Sequence, residues 1–185
     1  VFRANVGNAL TVYGEQSGLG GLIADVDRHE GRLHVTTESG LYSLRSTQEE
    51  EVPGLEWTFD RRSGVSLGKE LISLDRGALL ATQEGIYYQQ GDGEWSFEVK
   101  GKTLTLAASR NSETVYAGRG DGIMRLRPSG DSWTGTKIQG FDYEVRSIRE
   151  GEPGTLWVSS TQGEIFRVDL SENRGRVQKA RQLGV

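Results

Sequence analysis

The sequence has no cysteine, so neither a disulfide nor a thiolate-held metal contributes to its fold. Proline is scarce, at three residues, which separates the chain from Pro-rich linkers. No apolar run approaches the roughly 18 residues that a membrane-spanning helix needs. An excess of one charge is also missing. The 22 basic and 26 acidic residues are interspersed and leave a net charge of −4. That balance draws the chain neither to nucleic acid nor to anionic lipid, and no nucleic-acid partner is expected. No window keeps apolar residues at the 3.6-residue spacing of a helix. The chain opens at Val1 and its single methionine is Met124, from which we expect a piece of a longer protein.

What the chain does have is glycine, 26 residues, beside a modest 35% of hydrophobic residues. Short strands joined by tight turns produce this balance, because glycine takes the left-handed backbone such turns require. One sentence is written four times. Thr155-Leu-Trp-Val-Ser-Ser-Thr-Gln-Gly-Glu-Ile-Phe-Arg-Val-Asp169 reads as strand, polar turn and strand. Leu33–Leu44, Leu80–Tyr88 and Val115–Leu126 are the other copies. The turn glycines Gly40, Gly85, Gly122 and Gly163 are spaced 45, 37 and 41 residues apart. That period fits a four-stranded propeller blade.

The expected fold is therefore an all-β propeller of four-stranded antiparallel blades, with about four blades visible and a larger ring intended. We place the blades at 22–61, 62–100, 101–139 and 140–185. Residues 1–21 are read as outer strands of a neighbouring or closing blade plus an entry loop. The inner strand of blade 1 is expected at Leu22 to Val26. Outer strands are expected at Leu55 to Phe59, Trp95 to Val99, Ser132 to Lys137 and Arg176 to Ala180. Trp57, Trp95 and Trp133 fall 38 and 38 residues apart, a spacing that predicts one repeated packing position. Bare sheet edges at the ends of an open array invite self-association.

The copies resemble the two-component regulator propeller repeat. Gly154-Thr-Leu-Trp-Val-Ser-Ser160 with Gly163-Glu-Ile-Phe-Arg-Val168 carries the resemblance best, and Gly31-Arg-Leu-His-Val-Thr-Thr37 with Gly40-Leu-Tyr-Ser-Leu44 follows. Ser17-Gly-Leu-Gly-Gly-Leu-Ile23 is similar to that family's entry loop but lacks its proline. The resemblance implies a periplasmic or extracytoplasmic sensory propeller in a membrane-anchored bacterial signalling protein. It would bind a ligand or partner without catalysis of its own. Blades 2 and 3 also resemble Asp-box repeats, at Thr114-Val-Tyr-Ala-Gly118 with Asp131-Ser-Trp133 and at Asp92-Gly-Glu-Trp95. That similarity implies the alternative of a glycan-acting, sialidase-type enzyme. A protein–protein scaffold is the third reading.

His29 and His34 lie in one blade without a third ligand in reach, so they read as structural or solvated rather than metal-binding. The aspartates Asp75, Asp92, Asp121 and Asp131 fall in turns, where carboxylates accept backbone N–H bonds. Glu49-Glu-Glu51 reads as a solvated loop. The Arg-Gly-Asp triplet at 119–121 reads as part of a turn rather than an adhesion loop. Neither a metal nor a cofactor is expected. The expected binding residues are the turns between the second and third strands of each blade: Glu38 and Ser39, Gln83 and Glu84, Arg119 and Asp121, and Thr161 and Gln162. Their chemistry varies from blade to blade while the strands stay alike, which fits recognition on a rigid frame. The expected partner is a small ligand, a glycan or a protein.

Overall fold

The computed structural model describes residues 12–46, 57–62 and 64–183. The expectations for residues 1–11, for the acidic loop at 49–51 and for Leu55 and Glu56 lie outside these residues.

Four four-stranded antiparallel sheets follow one another along the chain. Blade 1 is β1 (Ile23–His29), β2 (Arg32–Thr37), β3 (Gly40–Ser46) and β4 (Trp57–Arg61). Blade 2 is β5 (Gly68–Leu74), β6 (Gly77–Thr82), β7 (Gly85–Gln89) and β8 (Ser96–Lys100). Blade 3 is β9 (Thr103–Ala108), β10 (Val115–Arg119), β11 (Gly122–Ser129) and β12 (Ser132–Lys137). Blade 4 is β13 (Val145–Glu150), β14 (Thr155–Ser160), β15 (Ile165–Leu170) and β16 (Val177–Leu183). Within each sheet the strands pair in chain order, and the first strand of each blade packs beside the first strand of the next. These are propeller blades arranged as an arc.

The strands are short, and their middle pairs are the most apolar stretches of the chain. β6, Gly77-Ala-Leu-Leu-Ala-Thr82, is buried along its whole length because blades cover both of its faces. The left-handed glycines set the hairpins. Gly122 has φ +124°, and a Cβ there would lie 2.2 Å from the carbonyl oxygen of Phe141. Only glycine fits that approach.

Hydrophobic cores lie between blades. Leu41 of blade 1 meets Leu71, Ala78 and Leu80 of blade 2. Leu79, Ile86 and Tyr88 meet Leu106, Leu126 and Trp133. Tyr116 and Ile123 meet Ile148, Leu156 and Phe166. A cap covers the outer part of the far side of blade 1. Tyr13 and Leu19 lie on Val35, Tyr42 and Phe59, and the Thr58 hydroxyl donates to the Ser17 carbonyl at 2.9 Å.

Carboxylates also tie neighbouring blades together. Asp25 on β1 accepts the Leu71 N–H at 3.0 Å, and Glu70 on β5 accepts the Leu106 N–H at 2.8 Å. Each satisfies a backbone donor on the unpaired edge of an inner strand.

Several details differ from expectation. The inner strand of blade 1 begins one residue later and runs on to His29, through a register shift between Ile23 and Asp25. Gln16 and Ser17, expected in a loop over 16–21, form with Glu15 one 3-10 turn closed by mutual hydrogen bonds of Ser17 and Gly14. β16 extends to Leu183. Two of the three tryptophans pack toward the preceding blade, as the repeat predicts, and the third, in blade 1, does not. Trp133 is buried on Tyr88, Trp95 precedes β8 and packs beside Leu80, and Trp57 is exposed. Trp57 and Trp133 hold equivalent pairings, opposite Ser46 and Pro128. A register shift between Ile86 and Tyr87 displaces blade 2 from that frame.

Candidate functional site

The four predicted turns lie at one end of the arc, built by one device. In each blade a turn N–H is donated to the carbonyl of the residue that enters the inner strand. The pairs are Glu38 to Leu22 at 3.2 Å, Gln83 to Leu67 at 3.3 Å, Gly120 to Lys102 at 3.3 Å and Thr161 to Glu144 at 3.0 Å. A hydroxyl ends the second strand in three blades and accepts another turn N–H. Thr37 accepts from Ser39, Thr82 from Glu84 and Ser160 from Gln162. Blade 3 has Arg119 at that place. Its guanidinium turns back onto Asp121 at 3.1 Å and the Lys100 carbonyl at 3.1 Å. The Arg-Gly-Asp triplet is thus folded back onto its own turn and onto the end of β8 in blade 2.

The side chains make this end charged. Glu144 joins Lys102 and the Thr161 hydroxyl, and those two hydrogen bonds hold its carboxyl below the ordinary range. Lys137 pairs with Asp142 at 2.9 Å and lies 3.9 Å from Asp121, and the Asp142 hydrogen bond pushes its ammonium up. Glu84 accepts from the Tyr87 hydroxyl at 3.4 Å. The predicted residues therefore share one end, but none of the hydrogen bonds and ion pairs among the described residues joins one turn to another. The face is a row of separate polar turns.

The opposite end carries a cavity that the sequence reading did not anticipate. Between blades 2 and 3 lies a cavity of about 440 Å³. Leu74, Val115, Pro128 and Trp133 form its apolar wall, and Ser109, Ser112 and Thr114 supply hydroxyls. Arg76 and Glu113 face each other across it at 3.4 Å, one from each blade. Arg110 and Asp75 also line it, and the side chain of neither has a partner among the described residues.

The corresponding spaces between the other blades are filled. Between blades 3 and 4, Arg174 inserts its guanidinium toward the Ser109 hydroxyl at 3.4 Å, the Tyr116 hydroxyl at 3.3 Å and the Glu150 carboxylate at 3.8 Å. Burial pushes Glu150 up. N–H bonds from Gly154 and Arg110, the Ser109 hydroxyl and the Arg174 charge outweigh it, so the carboxyl sits below its ordinary value. Burial, opposed by the Arg174 charge, pushes the Tyr116 phenol up.

Between blades 1 and 2, His29, His34, Arg62 and Trp95 leave only about 10 Å³. The imidazoles are buried, 6.1 Å apart, with His34 Nδ1 on the Ser43 hydroxyl at 3.0 Å. Burial first, and then the charges of His29, Arg62 and Arg32, lower the His34 pKa to about 4. No group of three or more His, Cys, Asp or Glu able to hold a metal occurs among the described residues.

Neither a protein-family model nor a curated protein sequence matches the chain. Solved structures do, at low identity. An auxiliary nutrient-binding protein from Bacteroides thetaiotaomicron superposes with a TM-score of 0.61 at 13% identity, over 88% of this chain and 42% of that one. A catalytically inactive virginiamycin B lyase from Staphylococcus aureus superposes with a TM-score of 0.61 at 14% identity, over 90% and 56%. The extracellular domain of a hybrid two-component system from B. thetaiotaomicron gives 0.54 at 13% identity, over 86% and 22%. The first two likenesses span about half of those chains, and all three establish the propeller-like fold alone. No helix among the described residues is long and apolar enough to cross a membrane.

Proposed function

We propose that the chain is a ligand- and partner-binding module of an extracytoplasmic signalling protein and has no catalysis of its own. One observation carries the reading. Of the three equivalent spaces between blades at the end opposite the predicted turns, two are filled by the chain's own side chains, and the third is an open cavity lined by Arg110 and Asp75, whose side chains have no partner among the described residues. A concave site with an apolar wall and a few polar groups is the usual form of a small-molecule site. Charges of both signs beside hydroxyls suit a small neutral or zwitterionic ligand. Such a ligand touches blades 2 and 3 together and favours one placement of the two over others.

The turn face at the other end is the proposed docking surface for a protein partner, through Glu38, Ser39, Gln83, Glu84, Arg119, Asp121, Thr161 and Gln162. A fold shared with a two-component extracellular domain and a nutrient-binding protein supports the sensory reading. The resemblance to the two-component regulator propeller repeat supports it from the sequence.

A thermal-shift screen with sugars, amino acids and dipeptides tests the cavity. A ligand at about 100 times its Kd raises stability by about 2.7 kcal/mol. The rise should vanish in Ser112→Trp, which fills the cavity from an exposed loop position. The absence of a shift with every compound, or an equal shift in the filled variant, contradicts the proposal.

A further inference from the structure

The fold engages most of the polar side chains that line the cavity between blades 2 and 3. The Ser73 hydroxyl donates to the Arg28 carbonyl at 2.9 Å. The Ser109 hydroxyl accepts from the Arg174 guanidinium at 3.4 Å, and the Ser112 hydroxyl accepts the Thr114 N–H at 3.4 Å. Arg76 and Glu113 pair with each other. That leaves Asp75, Arg110 and Thr114 as the lining polar side chains without a partner among the described residues. One is an anion, one a cation and one a hydroxyl.

The two charges come from different blades. Asp75 stands in the turn of blade 2 between β5 and β6, and Arg110 in the loop of blade 3 between β9 and β10. The Arg110 backbone is anchored, since its N–H donates to the buried Glu150 carboxylate at 3.0 Å. The Ser109 N–H donates to the Thr114 carbonyl at 2.8 Å and closes the loop. The guanidinium is therefore carried on a fixed base.

The apolar wall disfavours a sugar. Leu74, Val115 and Pro128 are aliphatic and offer sugar hydroxyls no partner. Trp133 is 7% exposed and packs edge-to-face with Tyr88 at 5.9 Å, so it presents no open ring face for stacking. The same wall suits an aliphatic or aromatic side chain, whose burial there is favourable.

We propose that the cavity takes a zwitterion with an apolar side chain, an α-amino acid or a short peptide, its carboxylate on Arg110 and its ammonium on Asp75. This assignment rests on the cavity being the binding site proposed above. Arg110 and Asp75 are exposed in the free chain, and a ligand that covers them displaces their water. A zwitterion replaces that water with a charge-assisted hydrogen bond at each end. A neutral ligand displaces the same water without supplying the opposite charges. The Thr114 hydroxyl remains for a peptide amide. The two charged ends of the ligand then tie blade 2 to blade 3.

Calorimetric titration with leucine, phenylalanine, their dipeptides, the N-acetylated and C-amidated forms of each, and glucose and maltose tests the assignment. The uncapped compounds should bind, and capping either end should weaken binding by about 10- to 100-fold. Arg110→Ala and Asp75→Ala should weaken the uncapped compounds by a similar factor, with circular dichroism unchanged because both positions are exposed. Amidation should then cost nothing further in Arg110→Ala, and acetylation nothing further in Asp75→Ala. Tighter binding of the dipeptides is the result expected for a peptide ligand, and the reverse order that expected for a free amino acid. Capped forms that bind as tightly as uncapped ones, or uncapped forms indifferent to both variants, overturn the zwitterion. A sugar that binds both alanine variants equally but is lost in Ser112→Trp overturns the zwitterion and leaves the cavity as the site. Failure of every compound to bind overturns both.

Discussion

Arg174 of blade 4 reaches across to the interface with blade 3, where its Nη1 lies 3.8 Å from the Oε1 of a Glu150 side chain that is only 1% exposed. The arginine enters from the loop before β16, so the interface depends on a segment far from the apolar core. Removing it leaves a buried carboxylate without its cation. Arg174→Ala should cost about 2 to 4 kcal/mol in urea unfolding, because truncating one member of a buried pair strands the other. Glu150→Gln should also be destabilising, since the amide replaces one acceptor with a donor facing N–H groups. A change below about 0.5 kcal/mol in both would show that the pair is not a structural plug.

His34 provides a pH signature. Its folded-state pKa is about 4 against 6.5 for an ordinary histidine, so the unfolded chain binds the extra proton between those values. The stabilising contribution is fully present above pH 6.5 and is lost as pH falls toward 4. The gap corresponds to about 3 kcal/mol. Leu79 holds the equivalent place in blade 2, so His34→Leu is sterically reasonable there. Denaturant midpoints measured from pH 7 to pH 4 should fall steeply for the native chain and less for His34→Leu. Equal slopes would contradict the assignment.

The fold was legible in the sequence because its determinants are local and repeated. The turn glycines and the alternating strands of Leu33–Leu44 and Thr155–Asp169 recur at blade spacing, and each hairpin forms from its own neighbours. The common end of Glu38, Gln83, Arg119 and Thr161 followed from the same repetition. The filling of the spaces between blades did not. Whether Arg174 plugs one space and Trp133 walls an empty one depends on contacts of high sequence separation, such as Arg174 with Tyr116 across 58 positions. The equal spacing of Trp57, Trp95 and Trp133 pointed to the packing of Trp95 and Trp133 on the preceding blades but not to the exposure of Trp57 in blade 1.

Gly118 illustrates how closely blades 3 and 4 approach. A Cβ there would sit 2.5 Å from both Thr105 Cγ2 and Val145 Cγ1. The equivalent residue in blade 2 is Ala81, paired with Glu70 as Gly118 is with Thr105. Gly118→Ala should nevertheless destabilise by about 1 to 3 kcal/mol through overpacking, and Gly118→Ala with Val145→Ala should recover part of that loss. A neutral Gly118→Ala would show that the blades have room to separate.

Glu70 joins three blades. Its Oε2 accepts the Leu106 N–H of blade 3, and its Oε1 lies 3.4 Å from the Arg149 guanidinium of blade 4. Glu70→Ala leaves the edge donor of β9 without its acceptor and should lower stability by about 1 to 3 kcal/mol. Glu70→Gln keeps an acceptor and should retain more of it. Thermal melting of both variants checks the order, and equal losses would remove the role assigned to the N–H bond.

The most direct test of the binding reading is calorimetric titration of the first compound that raises the melting temperature. It would be run into the native chain, into Ser112→Trp and into the turn-face variant Glu84→Ala, with the compound recovered afterwards and its integrity measured. The account predicts saturable binding in the native chain and in Glu84→Ala, loss of binding in Ser112→Trp, and an unchanged compound. Binding retained in Ser112→Trp would contradict the cavity between blades 2 and 3 as the site, and conversion of the compound would contradict a module without catalysis.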